Sequence, residues 1–223
     1  MYTIRVIFEV SFSSPAKQFN VIPDIVRSFG GGEIKEPSVL SPTSNRFRLQ
    51  FKDKKISLYI DPSRYSIVVE ETGPTIEQIK KVLIDLSNNL IKRLTWDKMS
   101  HIKLVTTRIH EADNFKVLVQ RFKENLFTAN TLIAKAFDVC MPLTFSHEDA
   151  CIDFICGPME RPELFKRGFE YPVESPECFA YIDIGYSKVP NQTISIQYLQ
   201  DFLNVASTFS NDIFTETIAI LKV

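Results

Sequence analysis

The chain has 223 residues, and its 26 basic and 27 acidic side chains leave a formal net charge of -1. Hydrophobic residues make up 44% of the sequence and charged residues 24%, which is typical of a globular protein with a buried core. This composition excludes general disorder. The balanced charge also argues against a dedicated nucleic-acid-binding domain, which usually carries a basic excess.

The N-terminal segment has none of the features of a secretion signal. Arg5 and Glu9 interrupt its apolar residues, and no small-residue cleavage site follows. No stretch of the sequence has the 18 or more apolar residues of a membrane span. We therefore expect a cytoplasmic protein whose cysteines stay reduced.

The first half of the chain predicts a sheet with two helices. Residues 2–12 alternate between apolar and polar side chains, which indicates a strand with one buried face. Pro15 suits the first turn of a helix, which would end at the glycines 30–32. Apolar residues at helical spacing from Ile76 to Leu94 predict a second helix. Three further strands are predicted at residues 46–52, 56–60 and 65–71.

The second half predicts the same order of elements. A strand over residues 102–109 is followed by a helix that Asp113 would cap. Another helix begins at Ser195, and an apolar tail at residues 213–221 either extends it or forms a separate helix. Strands are predicted at residues 141–145, 150–156 and 179–186, with a long proline-containing loop at residues 157–177.

The predicted fold class is α+β with two similar halves, residues 1–96 and 97–223. Each half reads strand, helix, strands, helix, with antiparallel strands covered by helices. The two halves could pair edge to edge in one sheet, or they could fold as two small domains.

Two charged residues stand inside otherwise apolar predicted strands, Asp153 and Asp183. Arg108 and His110 share a face of the strand at residues 102–109. If the polar faces of these strands align, the four side chains converge on a group that could hold a metal or clamp a phosphate. A solvated sheet face with cross-strand charge pairs explains the same residues without catalysis.

Four residues in the second half are of the types that zinc accepts: Cys140, His147, Cys151 and Cys156. Their spacing includes no Cys-x-x-Cys pair, and free cysteines often pack as small hydrophobic residues. We therefore predict no metal site. The glycines 30–32 lack the Gly-Lys-Ser/Thr sequence of a phosphate-binding loop, so no cofactor is implied either.

Basic residues follow one predicted strand at Arg46, Arg48 and Lys52. Such a strip could contact nucleic-acid phosphates. Few aromatic residues interleave with it, so a stacking platform for single strands is not evident. Basic residues that protect a sheet edge would give the same pattern.

The predicted loop at residues 157–177 carries large apolar side chains, namely Phe165, Phe169 and Tyr171. Loops of this length are usually functional or disordered, and these rings are too apolar for a solvated segment. The three residues are therefore the predicted partner-binding residues. The alternative is that the loop packs these rings onto its own domain.

Two stretches of the second half, residues 105–110 and 181–186, carry a resemblance to a known family. The first reads Val-Thr-Thr-Arg-Ile-His and the second Tyr-Ile-Asp-Ile-Gly-Tyr, with a helix that ends near residues 214–217. In these stretches the chain resembles a sporadically distributed prokaryotic family of uncharacterised proteins. Because the family is uncharacterised, the resemblance implies no activity.

The sequence therefore favours a non-catalytic intracellular protein. It would act by protein–protein interaction, either by self-association into an oligomer or as a subunit of an assembly. Two alternatives stay open at this point. One is a metal-assisted hydrolase of phosphate esters that uses Arg108, His110, Asp153 and Asp183. The other is a nucleic-acid-binding module that uses Arg46, Arg48 and Lys52.

Overall fold

The computed structural model describes the backbone and side chains of most of the chain. The described residues are 2–17, 35–39, 47–51, 55–70, 76–127, 135–169 and 177–222. Several predicted features lie outside them: the helix after Pro15 with its glycines 30–32, and the candidate residues Arg46, Lys52 and Tyr171.

The described residues form ten strands and four helices. The strands are β1 (Tyr2–Phe12), β2 (Lys35–Val39), β3 (Phe47–Phe51), β4 (Ile56–Asp61), β5 (Arg64–Val69), β6 (Lys98–Ala112), β7 (Met141–His147), β8 (Ala150–Glu160), β9 (Cys178–Lys188) and β10 (Gln192–Thr193). The helices are α1 (Ile76–Ile91), α2 (Phe115–Leu126), α3 (Arg161–Lys166) and α4 (Ile196–Leu221).

All ten strands belong to one antiparallel sheet. Its order is β2-β3-β4-β5-β1-β6-β9-β8-β7, and β10 pairs with β6. The strands β1 and β6, which begin the two halves of the chain, pair from Tyr2–Ile109 to Phe12–Met99. This central pair joins the two halves in a single sheet.

Apolar alternation explains which face of the sheet is covered. In β1 the even-numbered residues from Ile4 to Phe12 are buried, while the odd-numbered residues are only half-buried. The helices α1 and α4 pack against each other, and α4 lies on β6 and β9. The helix α2 packs against α4, β8 and β9. These three helices define the helix-covered face, and the opposite face is called the open face below.

The helix ends follow from local capping. Ser195 caps α4, because its hydroxyl accepts a hydrogen bond from the Tyr198 backbone N–H at 3.1 Å. The cap of α2 is Asn114, whose side chain accepts from the Val117 N–H at 3.2 Å, so the prediction of Asp113 was wrong by one residue. The apolar tail at residues 213–221 continues α4. No helix in the described ranges is long and apolar enough to cross a membrane.

The predicted loop at residues 157–177 is largely regular structure where it is described. Its first residues continue β8, which stays paired with β9 as far as Glu160 and Cys178. Its next residues form α3, with Pro162 in the first turn, where a missing N–H costs no helical hydrogen bond. The prolines that indicated a loop are therefore compatible with a strand end and a short helix.

Candidate interaction surface

On the open face, Asp153 of β8 is held in a polar network of side chains from three strands. The Lys103 ammonium of β6 donates to the carboxylate at 2.6 Å, and the Thr144 hydroxyl of β7 donates to it at 3.1 Å. Gly185 of β9 lies between Lys103 and Asp153, and a Cβ atom at this position would stand 2.9 Å from the Lys103 Cε. The glycine therefore lets the lysine cross β9. The hydrogen bond from Lys103 holds the pKa of Asp153 below its ordinary value, as in a structural ion pair.

Asp183 of β9 lies on the same open face. Its carboxylate accepts a hydrogen bond from the Thr107 hydroxyl at 2.7 Å. Burial raises the pKa of Asp183, and this effect outweighs the opposing influence of Thr107 and of the charges on Arg5, Lys103 and Arg167. The folded protein therefore holds this carboxyl in an environment that favours the protonated form.

We expect the Asp183→Asn variant to be more stable than the natural chain at neutral pH. Because the folded-state pKa is raised, ionisation of Asp183 costs stability above that pKa. The cost disappears as the pH falls below the ordinary aspartate pKa of about 3.9. Thermal unfolding from pH 3 to pH 8 should show a difference in Tm that shrinks in acid. Lower stability of the variant at neutral pH would contradict this prediction.

Arg108 and His110 lie on the other side of the sheet from the two aspartates. Arg108 is 1% exposed, donates to the Asn211 side chain of α4 at 3.1 Å, and lies 5.3 Å from the centre of the Phe214 ring. His110 shares its face, and burial lowers the pKa of His110. The sheet backbone therefore separates the two groups, and the predicted convergence of all four residues does not occur.

The candidate metal ligands do not assemble in the described residues. Among these, no group of three or more His, Cys, Asp or Glu side chains is placed to hold a metal ion. Cys140 and Cys151 are exposed, whereas Cys156 is buried. Burial raises the pKa of Cys156 to about 12, so its thiol stays protonated at neutral pH.

Only Arg48 of the three basic candidates is described. Its guanidinium lies 5.4 Å from the centre of the Tyr59 ring on the neighbouring strand, a cation–π contact. This position is compatible with a solvated sheet face and gives no extended basic strip by itself. Binding of nucleic acid through Arg46, Arg48 and Lys52 stays a prediction.

The partner-binding residues predicted in the segment 157–177 have different environments. Phe169 is buried against Tyr181, and the two ring centres are 6.4 Å apart. The Arg5 guanidinium lies 4.7 Å from the centre of the Phe169 ring. It belongs to a small apolar cluster that includes Leu164. Phe169 is therefore part of the chain's own core, as in the alternative interpretation of the loop. Phe165 is 51% exposed.

The sheet edge at β7 is a feature that the sequence interpretation missed. This strand is the last of the described strands in the sheet order, and every residue from Pro142 to His147 is exposed. Leu143 and Phe145 project from it on the helix-covered face, next to Phe154 and Ile152 of β8. The signal in the sequence is the strand Met-Pro-Leu-Thr-Phe-Ser-His itself, which has no charged residue to protect an edge.

A trough of about 510 Å³ also lies on the open face, in the first half of the sheet. Its lining includes Arg5, Ile7 and Val68. The Arg64 guanidinium pairs with Glu9 at 3.5 Å and with Asp61 at 3.2 Å. Arg64 thus pairs with two of the acids in the trough lining.

Comparison with protein-family models finds no family that matches the chain, and comparison with curated proteins finds no match either. The resemblance of residues 105–110 and 181–186 to an uncharacterised family therefore stays a prediction.

Proposed function

We propose that the protein is a non-catalytic cytoplasmic subunit that acts by protein–protein interaction, and that β7 pairs with β7 of a second copy. The observation that carries this proposal is the exposure of an uncharged strand at the end of the sheet. The outer edge of such a strand offers backbone C=O groups, and N–H groups from residues other than Pro142, to another strand. The apolar side chains Leu143 and Phe145 supply surface that pairing would bury.

A two-fold axis at Thr144 makes β7 complementary to itself. In antiparallel pairing about this residue, Leu143 of one copy lies opposite Phe145 of the second, and the reverse pair forms on the other side of the axis. Apolar residues thus face apolar residues on the helix-covered side. Thr144 and Ser146, on the open side, are small and polar. No like charges are brought together along the strand.

The arrangement of the two halves supports the addition of a strand from a second copy beside β7. From the central pair outward, the first half continues β1, β5, β4, β3 and the second half β6, β9, β8, β7. This matching order favours the predicted duplication of strand, helix, strands, helix. In the first half β2 covers β3. Among the described residues of the second half the sheet order ends at β7, so a strand from a second copy would occupy the position equivalent to β2.

The opposite end of the sheet favours a closed dimer over a fibre. The strand β2 has the sequence Lys-Glu-Pro-Ser-Val, and its two charged residues are typical of protected edges, whereas β7 has a proline, Pro142, but no Lys, Arg, Asp or Glu. Pairing of β7 with β2 of another copy would generate an open chain of subunits. Pairing of β7 with β7 uses one surface twice and closes after two copies.

Substitution of the exposed edge residues tests the proposal. We expect the double variant Leu143→Lys, Phe145→Lys to raise the dimer dissociation constant at least about tenfold, because two apolar contacts are replaced by charges. The measurement is size-exclusion chromatography with light scattering across the micromolar range. The matched control is Val205→Lys, at a residue of α4 that is 49% exposed against 46% for Leu143.

The two outcomes are distinct. The natural chain and the Val205→Lys variant should show the mass of a dimer at high concentration, and the double variant that of a monomer with an unchanged Tm. A natural chain that stays monomeric throughout, or a double variant that dimerises as well as the natural chain, would overturn pairing through β7.

A further inference from the structure

A layer of polar residues separates two apolar clusters beneath α4. The first cluster includes Tyr186 of β9, whose ring centre is 5.7 Å from that of Phe202. The second includes Phe214. The residues between them, here called the polar seam, are Thr106 and Arg108 of β6 and Ser207, Ser210 and Asn211 of α4.

Strand and helix spacing place these residues opposite one another. Tyr186 of β9 lies directly opposite Leu104 of β6, and its ring contacts Phe202 of α4. Phe202 is therefore the residue of α4 that lies level with Leu104. Arg108 is about 13 Å further along β6, which matches nine residues of helix and agrees with its bond to Asn211. Thr106 lies halfway and therefore faces the part of α4 that holds Ser207, whereas Ser210, one residue before Asn211, lies nearer the position of Arg108.

The Arg108 guanidinium is buried without a counter-charge. Its NH1 group donates to the neutral amide oxygen of Asn211, and its Nε has no hydrogen-bond partner. In the part of the chain that the structure describes, no carboxylate lies within ion-pair distance of it. A guanidinium keeps its proton in proteins, so burial of this charge is unfavourable unless an anion compensates it.

Two further donors in the seam also lack acceptors. The Thr106 hydroxyl and the Ser210 hydroxyl are fully buried and have no hydrogen-bond partner. Hydroxyl and guanidinium groups can all donate to one acceptor that carries negative charge. The polar seam therefore has more hydrogen-bond donors than acceptors, and its positive charge has no counter-charge. A bound anion would accept hydrogen bonds from these donors and balance the charge.

We propose that the polar seam binds one small monovalent anion of the halide class, held by the Arg108 guanidinium between β6 and α4. Because Arg108 is buried between β6 and α4, the site favours a small anion, and a larger oxyanion would have to separate α4 from the sheet. Asn211 is exposed at the end of the seam, so the anion would enter beside this residue. The site is independent of the dimer edge at β7.

Thermal unfolding in chloride tests this site. At constant ionic strength, replacement of sodium gluconate by sodium chloride should raise the Tm in proportion to the logarithm of the chloride concentration, because the folded state alone binds the ion. The Arg108→Met variant should lose this response. The control Arg64→Met, on the open face, should retain it. An equal response in the natural chain and in Arg108→Met would overturn the proposal, as would no response in the natural chain.

Crystals of the natural chain in sodium bromide give a second test that needs no variant. An anomalous bromide peak within hydrogen-bond distance of the Arg108 guanidinium is the expected result. This measurement decides the question even if Arg108→Met does not fold. Bromide peaks confined to exposed side chains, with none at Arg108, would show that the seam binds no halide.

Discussion

Replacement of Phe12 by alanine is expected to lower the free energy of unfolding by about 3–5 kcal/mol. Phe12 ends β1, and its ring stacks on Trp96 with centres 4.4 Å apart and planes within 2°. Trp96 lies in the connection between α1 and β6, and its indole N–H donates to the Pro62 carbonyl at 3.0 Å. Loss of the Phe12 ring would therefore leave a cavity where the two halves of the chain meet.

The measurement is equilibrium unfolding in urea, followed by circular dichroism and by fluorescence. Trp96 is the single tryptophan of the chain, so its emission reports on this junction directly. The matched control is Phe165→Ala, at an exposed ring whose removal should cost less than about 0.5 kcal/mol. Coincident transitions by both probes are expected, since the first apolar cluster contains residues of both halves. Equal costs for the two variants would refute the importance of the Phe12–Trp96 stack.

The second large effect is expected for Gly157→Ala, with a loss of about 1–3 kcal/mol from overpacking. A Cβ atom at this buried position of β8 would stand 2.8 Å from the Val139 carbonyl oxygen and 3.4 Å from the Cys140 Cα. Both neighbours are backbone atoms, which cannot rotate away as a side chain can. The extra methyl group would displace Val139 and Cys140, which lead directly into β7, so the substitution should also weaken the proposed dimer.

Gly185→Ala is the matched control for this prediction. Its Cβ atom would meet the Lys103 Cε at 2.9 Å, but this atom belongs to a flexible side chain. We therefore expect a smaller loss of stability for Gly185→Ala and an altered Lys103–Asp153 ion pair. Urea unfolding of both variants provides the comparison, and light scattering the effect on association. A cost for Gly157→Ala no greater than for Gly185→Ala would contradict the backbone-contact argument.

Periodicity in the sequence was sufficient to locate most strands and helices. The alternation in residues 2–12 specified both β1 and its buried face, because side chains of a strand alternate between two faces. The apolar stripe in α1 likewise predicted a helix against the sheet. Periodicity failed at residues 157–169, where glycine and proline are compatible with the end of β8 and with the first turn of α3.

The candidate site shows that the alternation within one strand does not predict which residues of neighbouring strands share a face. Sequence parity showed correctly that Arg108 and His110 share a face, but parity within a strand says nothing about alignment with its neighbours. The pairing of Thr107 with Asp183 places Asp183 on the open face and Arg108 beneath α4. A shift of one residue in this register would reverse that result.

The sequence by itself determined most of the strands and helices, the buried face of β1 and the absence of charge from β7. Tertiary structure alone decided the order of the strands, and with it the position of β7 at the end of the sheet. The reason is physical, since strand order depends on contacts between residues far apart in the chain. Local alternation is the same for an edge strand and for an interior strand with one solvated face.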